Sequence, residues 1–321
     1  MGFNKQEKII CALLLLSAIA FVAVFSVDNQ TNNTGTSLLG SQQSGLIIDL
    51  NCTLPTSIPN QIPSLKVSTR PINNEIVLEI ASNKPFYIGT QLEVRNYTWI
   101  NGTTEFYVVP IGTTTIDGST TLLRLFPEGQ VQYYAPGWTG YTTAPKLPSK
   151  EDAKIIADDF LSQIKQSKTF IPTLPIEITF KDVVSGMETT ANDTHWIDYW
   201  CVIYELKYNN LPIGGNSDVR VWIGDKGEIV GLVANWRDLK ASNPVTIGIT
   251  PEEALDQLGN HLKIMTVVTK IAVQNVSFGY WADKTVLENT EYIMPAYIFD
   301  CVVTLLDGSQ QRMFVYVPAY K

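Results

Sequence analysis

Histidine is nearly missing from this chain: among 321 residues there are two, His195 and His261. Neither sits in an HExxH or comparable metal spacing, which removes the usual zinc-hydrolase signatures. No GxSxG, Walker or GxGxxG pattern occurs, so the sequence offers no nucleophile elbow and no phosphate cradle. The acidic pairs Asp158-Asp159 and Glu252-Glu253 are adjacent in sequence. They therefore do not face each other on a helix, as a general acid and base would have to. Charge is also scarce, at 17% of residues, and the net charge is −8. An acidic chain without a Lys/Arg cluster cannot neutralise a phosphate backbone, which excludes nucleic acid as a partner. From these absences the chain reads as a protein that is not an enzyme and carries no cofactor.

Lys and Arg are absent from Asp28 to Leu65. Before that gap, Ile9 to Val27 is apolar and uncharged, and Lys5 and Lys8 precede it. At about 1.5 Å per residue such a helix is roughly 28 Å long, close to the hydrocarbon thickness of a bilayer. The positive-inside rule then predicts a cytoplasmic stretch over 1–8, a membrane anchor over 9–27, and everything after it outside the cytoplasm. The run is longer than the apolar core of a cleaved signal peptide. Residues 28–63 are rich in Asn, Thr, Ser, Gln, Gly and Pro and read as a linker, with Leu46-Ile47-Ile48 as a short docking strand. Asn-x-Ser/Thr sequons at Asn29, Asn32, Asn51, Asn96, Asn101, Asn192 and Asn275 agree with export as candidate glycosylation sites.

Past the linker, residues 64–145 read as mostly β, with short runs at 75–80, 104–109, 120–126 and 129–134. A helix opens at Ser149, which caps, with Asp152 at the third helical position. Ala153, Ile156, Ala157, Phe160, Leu161 and Ile164 form its apolar stripe. In Trp200 to Tyr208, alternate residues share one face of a strand, and Asn209 to Gly215 breaks it. Strands at 218–223 and 228–236 follow, on either side of a Gly224–Gly227 turn. The order then recurs: Thr250-Pro251-Glu252-Glu253 opens a second helix, with strands at 273–280, 297–306 and 312–317. The helix starts are about 100 residues apart, as are Cys201 and Cys301, which suggests a duplication over 146–241 and 242–321.

Three segments carry a family resemblance. They are Ser149 to Ala153, Tyr204 to Ile213 with its Asn-x-Leu-Pro-Ile, and Val219 to Val230. Together they resemble the PepSY domain and the propeptide domain of thermolysin-like proteases, as found in tandem on archaeal membrane-anchored surface proteins. The resemblance implies an α+β architecture of tandem cystatin-like units, each a helix packed on an antiparallel sheet. It also implies a role in protease regulation, or in envelope assembly or sensing, through binding of a protease or an envelope protein. It carries no catalytic residues.

The remaining candidates follow from chemistry. Three cysteines lie beyond the apolar run, an odd number that cannot all pair internally. A Cys201–Cys301 disulfide is one arrangement, and buried core thiols are the other. Trp138, Tyr141, Trp236, Tyr280 and Trp281 fall near turns and strand ends, where an aromatic patch would bind a peptide or a sugar. The leading expectation is a non-catalytic protein that binds a polypeptide. The alternatives are a glycosylated envelope spacer and a hydrolase assembled from separate strands.

Overall fold

The computed structural model describes residues 46–69, 71–82, 85–86, 91–99, 102, 104–111, 123–127, 129–135, 141–166, 176–191, 194–263, 268–282 and 291–321. The helices are α1 (Asn74–Ser82), α2 (Lys150–Gln166) and α3 (Pro251–Lys263). The first strands are β1 (Ile47–Leu50), β2 (Gln61–Ser68), β3 (Leu92–Thr98), β4 (Thr104–Pro110), β5 (Leu123–Leu125) and β6 (Gln130–Tyr134). Between α2 and α3 lie β7 (Ile176–Ala191), β8 (Thr194–Tyr208), β9 (Leu211–Ile223), β10 (Ile229–Asn235) and β11 (Asp238–Thr246). After α3 come β12 (Val268–Ala282), β13 (Tyr292–Leu305) and β14 (Gln310–Pro318).

Both long helices start where the sequence predicts. At α2 the Ser149 hydroxyl accepts from the Asp152 N–H at 3.0 Å. At α3 the capping is reciprocal: Glu253 N–H donates to Thr250 Oγ1 at 3.1 Å and Thr250 N–H donates to the Glu253 carboxylate at 2.8 Å. The run Glu75 to Ile80, read as a strand, is helical. Asn73 Oδ1 accepts from Ile76 N–H, and Val77, Ile80 and Ala81 fall on one buried face. A capped 3,4 spacing outweighs the local β-branched content. The break expected over Asn209 to Gly215 shrinks to a two-residue turn. Asn209 and Asn210 adopt φ of 49° and 65°, and Leu211 already pairs with Tyr208.

The tandem helix-on-sheet architecture is not what forms. The described residues are 60% strand and 16% helix. Their fourteen strands join in one mixed sheet along the path β11-β2-β13-β12-β9-β10-β6-β5-β4-β3, with β1, β7, β8 and β14 pairing off it. The joins cross every expected border. β6 pairs with β10, and β9 pairs in parallel with β12 at Ile213–Gly215 against Tyr280–Ala282. β2 pairs with both β11 and β13. Separate units would each expose backbone N–H and C=O groups along their edges, and merging the sheets satisfies them. The helices cover the sheet rather than defining units. Ala153, Ala157, Phe160, Leu161 and Ile164 of α2 are buried, with α2 against β8 and β9, while α3 lies against β14.

The expected membrane placement is likewise corrected. Among the described residues no helix is long and apolar enough to cross a membrane, and Ile9 to Val27 lies outside them. Part of the expected linker is built into the fold. β1 pairs in parallel with β12, and Cys52, Leu54 and Ile58 pack against the core.

Candidate functional site

From Val202 to Tyr208, β8 alternates. Val202, Tyr204 and Leu206 are buried on the core face, which leaves Ile203 and Glu205 on the other. β13 is buried on both faces from Pro295 to Cys301, with Tyr297, Phe299 and Cys301 in the main core and Ile298 and Asp300 opposite. These second faces border one open cleft of about 570 Å³, walled by β7–β8–β9 on one side and β12–β13–β14 on the other. It forms where β9 changes partners. Glu205 pairs with Asp218 but Leu206 pairs with Ile213, so Gly214 to Ser217 bulge out of the ladder. Ser217 closes the bulge by donating to the Ile213 carbonyl at 2.6 Å.

The floor is apolar. Trp281 lies across the bulge, stacked on Tyr316 with ring centroids 4.8 Å apart. A Cβ at Gly214 would come within 2.8 Å of the Trp281 ring, and one at Gly215, where φ is +76°, within 2.3 Å of the Ala282 carbonyl oxygen. Glycine is therefore required for this close approach. Ile203 and Ile298 complete the floor. Trp281 is 8% exposed, and its indole N–H is buried without an acceptor.

The charges of the cleft are largely paired within it. Arg312 forks onto Asp300, Nε to Oδ1 at 2.9 Å and an Nη to Oδ2 at 2.6 Å. Those bonds and the Asp300 charge push the Arg312 pKa up, and Asp182 adds to the shift. Arg220 Nε donates to Asp218 at 2.6 Å, and Lys207 lies 2.9 Å from Glu205. Lys181 of β7 places its ammonium 4.3 Å from the Phe314 ring centroid on β14. This cation–π contact joins β7 to β14, two strands that line the cleft.

The sequence candidates are scattered by comparison. Cys201 and Cys301 are free, buried thiols rather than a disulfide. β9 and β12 separate their strands, at about 4.8 Å per step, whereas a disulfide needs Cα atoms about 4.4–6.8 Å apart. They also face opposite ways: Cys301 points into the core, and Cys201 lies on the face away from Val202 and Tyr204. Burial pushes both thiols up to about 12. Of the aromatic set, Trp236, Tyr280 and Trp281 are buried and Tyr141 is half-buried, so they form no exposed patch; Trp138 lies outside the described residues. Tyr280 donates its hydroxyl to the Pro63 carbonyl, and only Trp281 of the set borders the cleft. Asn51, Asn96 and Asn275 are exposed, and Asn275 is at the cleft; Asn29, Asn32, Asn101 and Asn192 lie outside the described residues.

His195 does not border the cleft. His195 sits near the β7–β8 hairpin tip with Nε2 3.1 Å from Glu188, and His261 falls in α3. Asp158 is engaged structurally, accepting from the Tyr204 hydroxyl at 2.7 Å and pairing with Lys154 at 2.6 Å. Among the described residues no group of three or more His, Cys, Asp or Glu side chains could hold a metal ion. The sequence reading missed Lys181, Asp300, Arg312 and Phe314. A usable signal was present at Asp300, a charge inside the apolar run Tyr297 to Leu306. A comparison with known families finds no match for this chain, and a comparison with curated proteins finds none.

Proposed function

We propose that the chain binds an extended polypeptide in the cleft between the two hairpins, without catalysing a reaction on it. One observation supports this above the rest. β7 and β14, each paired on one side only among the described residues, flank the same apolar-floored cleft. A strand edge offers backbone hydrogen bonds to any sequence, and a pocket beside it selects side chains, which is the logic of binding by strand addition. Two apolar side chains seated on Trp281 and Ile298 contribute about 3–6 kcal/mol before the cost of ordering the peptide. With backbone hydrogen bonds added, the expected affinity is around micromolar, about −8 kcal/mol.

The test is an immobilised array of short extended peptides probed with the purified protein, followed by calorimetry on the positives. Peptides that bind the parent protein should lose affinity when Ile298→Lys places an ammonium on the cleft floor. Failure of every peptide to bind, or binding indifferent to Ile298→Lys, ends the reading.

A further inference from the structure

Resting on that reading, we infer that β14 is the edge that accepts the polypeptide. The incoming strand is a single segment with a large apolar side chain at every second position. The free edges differ in how they are guarded. β7 is broken by register shifts after Phe180, Ser185 and Met187, and carries Glu177, Lys181, Asp182 and Glu188. β11 is shifted between Ala241 and Pro244 and holds both Lys240 and that proline. β1 has four residues, and β3 carries Glu93 and Arg95. Bulges, prolines, charges and short length are the devices that stop strands from adding to an edge. β14 has none of them before its last residue. It pairs with β13 without a shift from Gln310 to Pro318, and its one charge, Arg312, is tied to Asp300.

The hydrogen-bonding parity shows which groups are on offer. Leu305 N–H donates to the Ser309 carbonyl at 2.9 Å, and Ala319 N–H to the Pro295 carbonyl at 3.1 Å. With an unbroken register between these bonds, Met313 and Val315 direct their backbone groups at β13. Arg312 and Phe314 direct theirs away from it. The same two residues turn their side chains into the cleft. A strand added there places alternate side chains over Ile298 and Trp281, and the buried indole N–H of Trp281 is a donor still to be matched. Glu205, Asp218, Arg220, Asp300 and Arg312 of the cleft are already paired, so apolar complementarity decides the occupant.

The contact of Lys181 with Phe314 decides between a lone segment and a second copy of the chain. It ties β7 to β14 through side chains alone, with both edges bordering the same cleft. A second copy would bring its own β13 into the place of β7. Lys181 therefore acts as a latch that the entering strand displaces.

The test uses short peptides alternating Val or Phe with Thr, with terminal lysines for solubility, and a control series alternating Ser with Thr. Hydrogen exchange on the unmodified protein reads the site. With the Val/Phe series, the Arg312 and Phe314 amides should gain protection, while Met313 and Val315, already bonded to β13, stay unchanged. Phe314→Pro should bind at least about tenfold more weakly than Phe314→Ala, because both lose the ring and only proline loses the outward N–H. Lys181→Ala should bind about threefold more tightly. Protection appearing on β3, β7 or β11 instead, or equal binding of the Ser/Thr series, overturns the assignment to β14 and leaves polypeptide binding standing. Dimerisation that buries the same two amides without peptide overturns it in favour of a second copy. No binding by either series at any concentration removes both readings.

Discussion

Removing the carboxylate of Asp198 should destabilise the protein by about 3–5 kcal/mol. Asp198 lies on β8, is completely buried, and accepts from three neutral donors: Tyr141 N–H at 3.0 Å, the Trp196 indole at 3.1 Å, and the Thr189 hydroxyl. An Ala at this position strands all three donors. Each buried unmatched donor costs about 1–3 kcal/mol, less where water enters the space left behind. Asp198→Asn keeps the volume and one acceptor oxygen but turns an amide N–H₂ toward a donor, so it should cost less, about 1–3 kcal/mol. Urea denaturation followed by far-ultraviolet circular dichroism gives both values, provided the slope is unchanged between variants. Hydrogen exchange should show the loss concentrated around Tyr141, whose hydroxyl also donates to Glu228 and accepts from Asp225 N–H at 2.9 Å. A cost for Asp198→Ala below about 1 kcal/mol, or a larger cost for Asn than for Ala, would refute the view that matched donors hold this carboxylate in place.

Three further outcomes are expected. Burial pushes Tyr107, Tyr199 and Tyr297 up to about 12, and Tyr204 and Tyr280 are also raised, against an unfolded value near 10. Raised folded values contribute stability that is full below about pH 10 and lost as pH climbs toward about 12, so phenolate absorbance should rise cooperatively with unfolding in that window. Independent titration near pH 10 in a still-folded protein would contradict this. Among Cys52, Cys201 and Cys301, a thiol reagent should modify Cys52 first in the native protein, since the other two are buried; mass spectrometry after brief labelling reads the order. Gly214→Ala drives a Cβ into the Trp281 ring and should cost about 1–3 kcal/mol, with a change in Trp fluorescence that an Ala at exposed Gly308 does not produce.

Local chemistry was legible in the sequence; long-range pairing was not. Ser149 and Thr250 announced both long helices, because a cap and an apolar stripe act within one or two turns. Alternation exposed much of β8, β12 and β13 for the same reason. Glu75 to Ile80 was ambiguous, since a six-residue run with four apolar positions fits either period and a single Asn73 cap decides it. No local pattern says that Ile213 pairs with Tyr280, or that Leu65 lies between β11 and β13. Yet those pairings turn helix-and-meander segments into one sheet, and they bring β7 and β14 to opposite lips of a cleft. The apparent match of Cys201 with Cys301 failed on parity: a one-residue slip sends a side chain to the other face of a strand. Beyond Asp300, a charge in an apolar run, the site residues were hidden because Lys181, Arg312 and Phe314 are unremarkable until the sheet assembles them.

The position of β2 has a consequence for how the protein is made. Its partners on β11 begin about 170 residues later in the chain, and those on β13 more than about 220 later. At roughly 5–20 residues per second, a ribosome needs on the order of ten seconds or more after finishing β2 before either partner exists. Through that interval Leu65, which is fully buried in the finished molecule, has no native partner strand on either side. The nascent chain must therefore keep an apolar strand from pairing wrongly until β11 and β13 have been made. High contact order of this kind also predicts slow refolding from denaturant. Early release of the chain, before β13 emerges, would yield a product that aggregates rather than a smaller working domain.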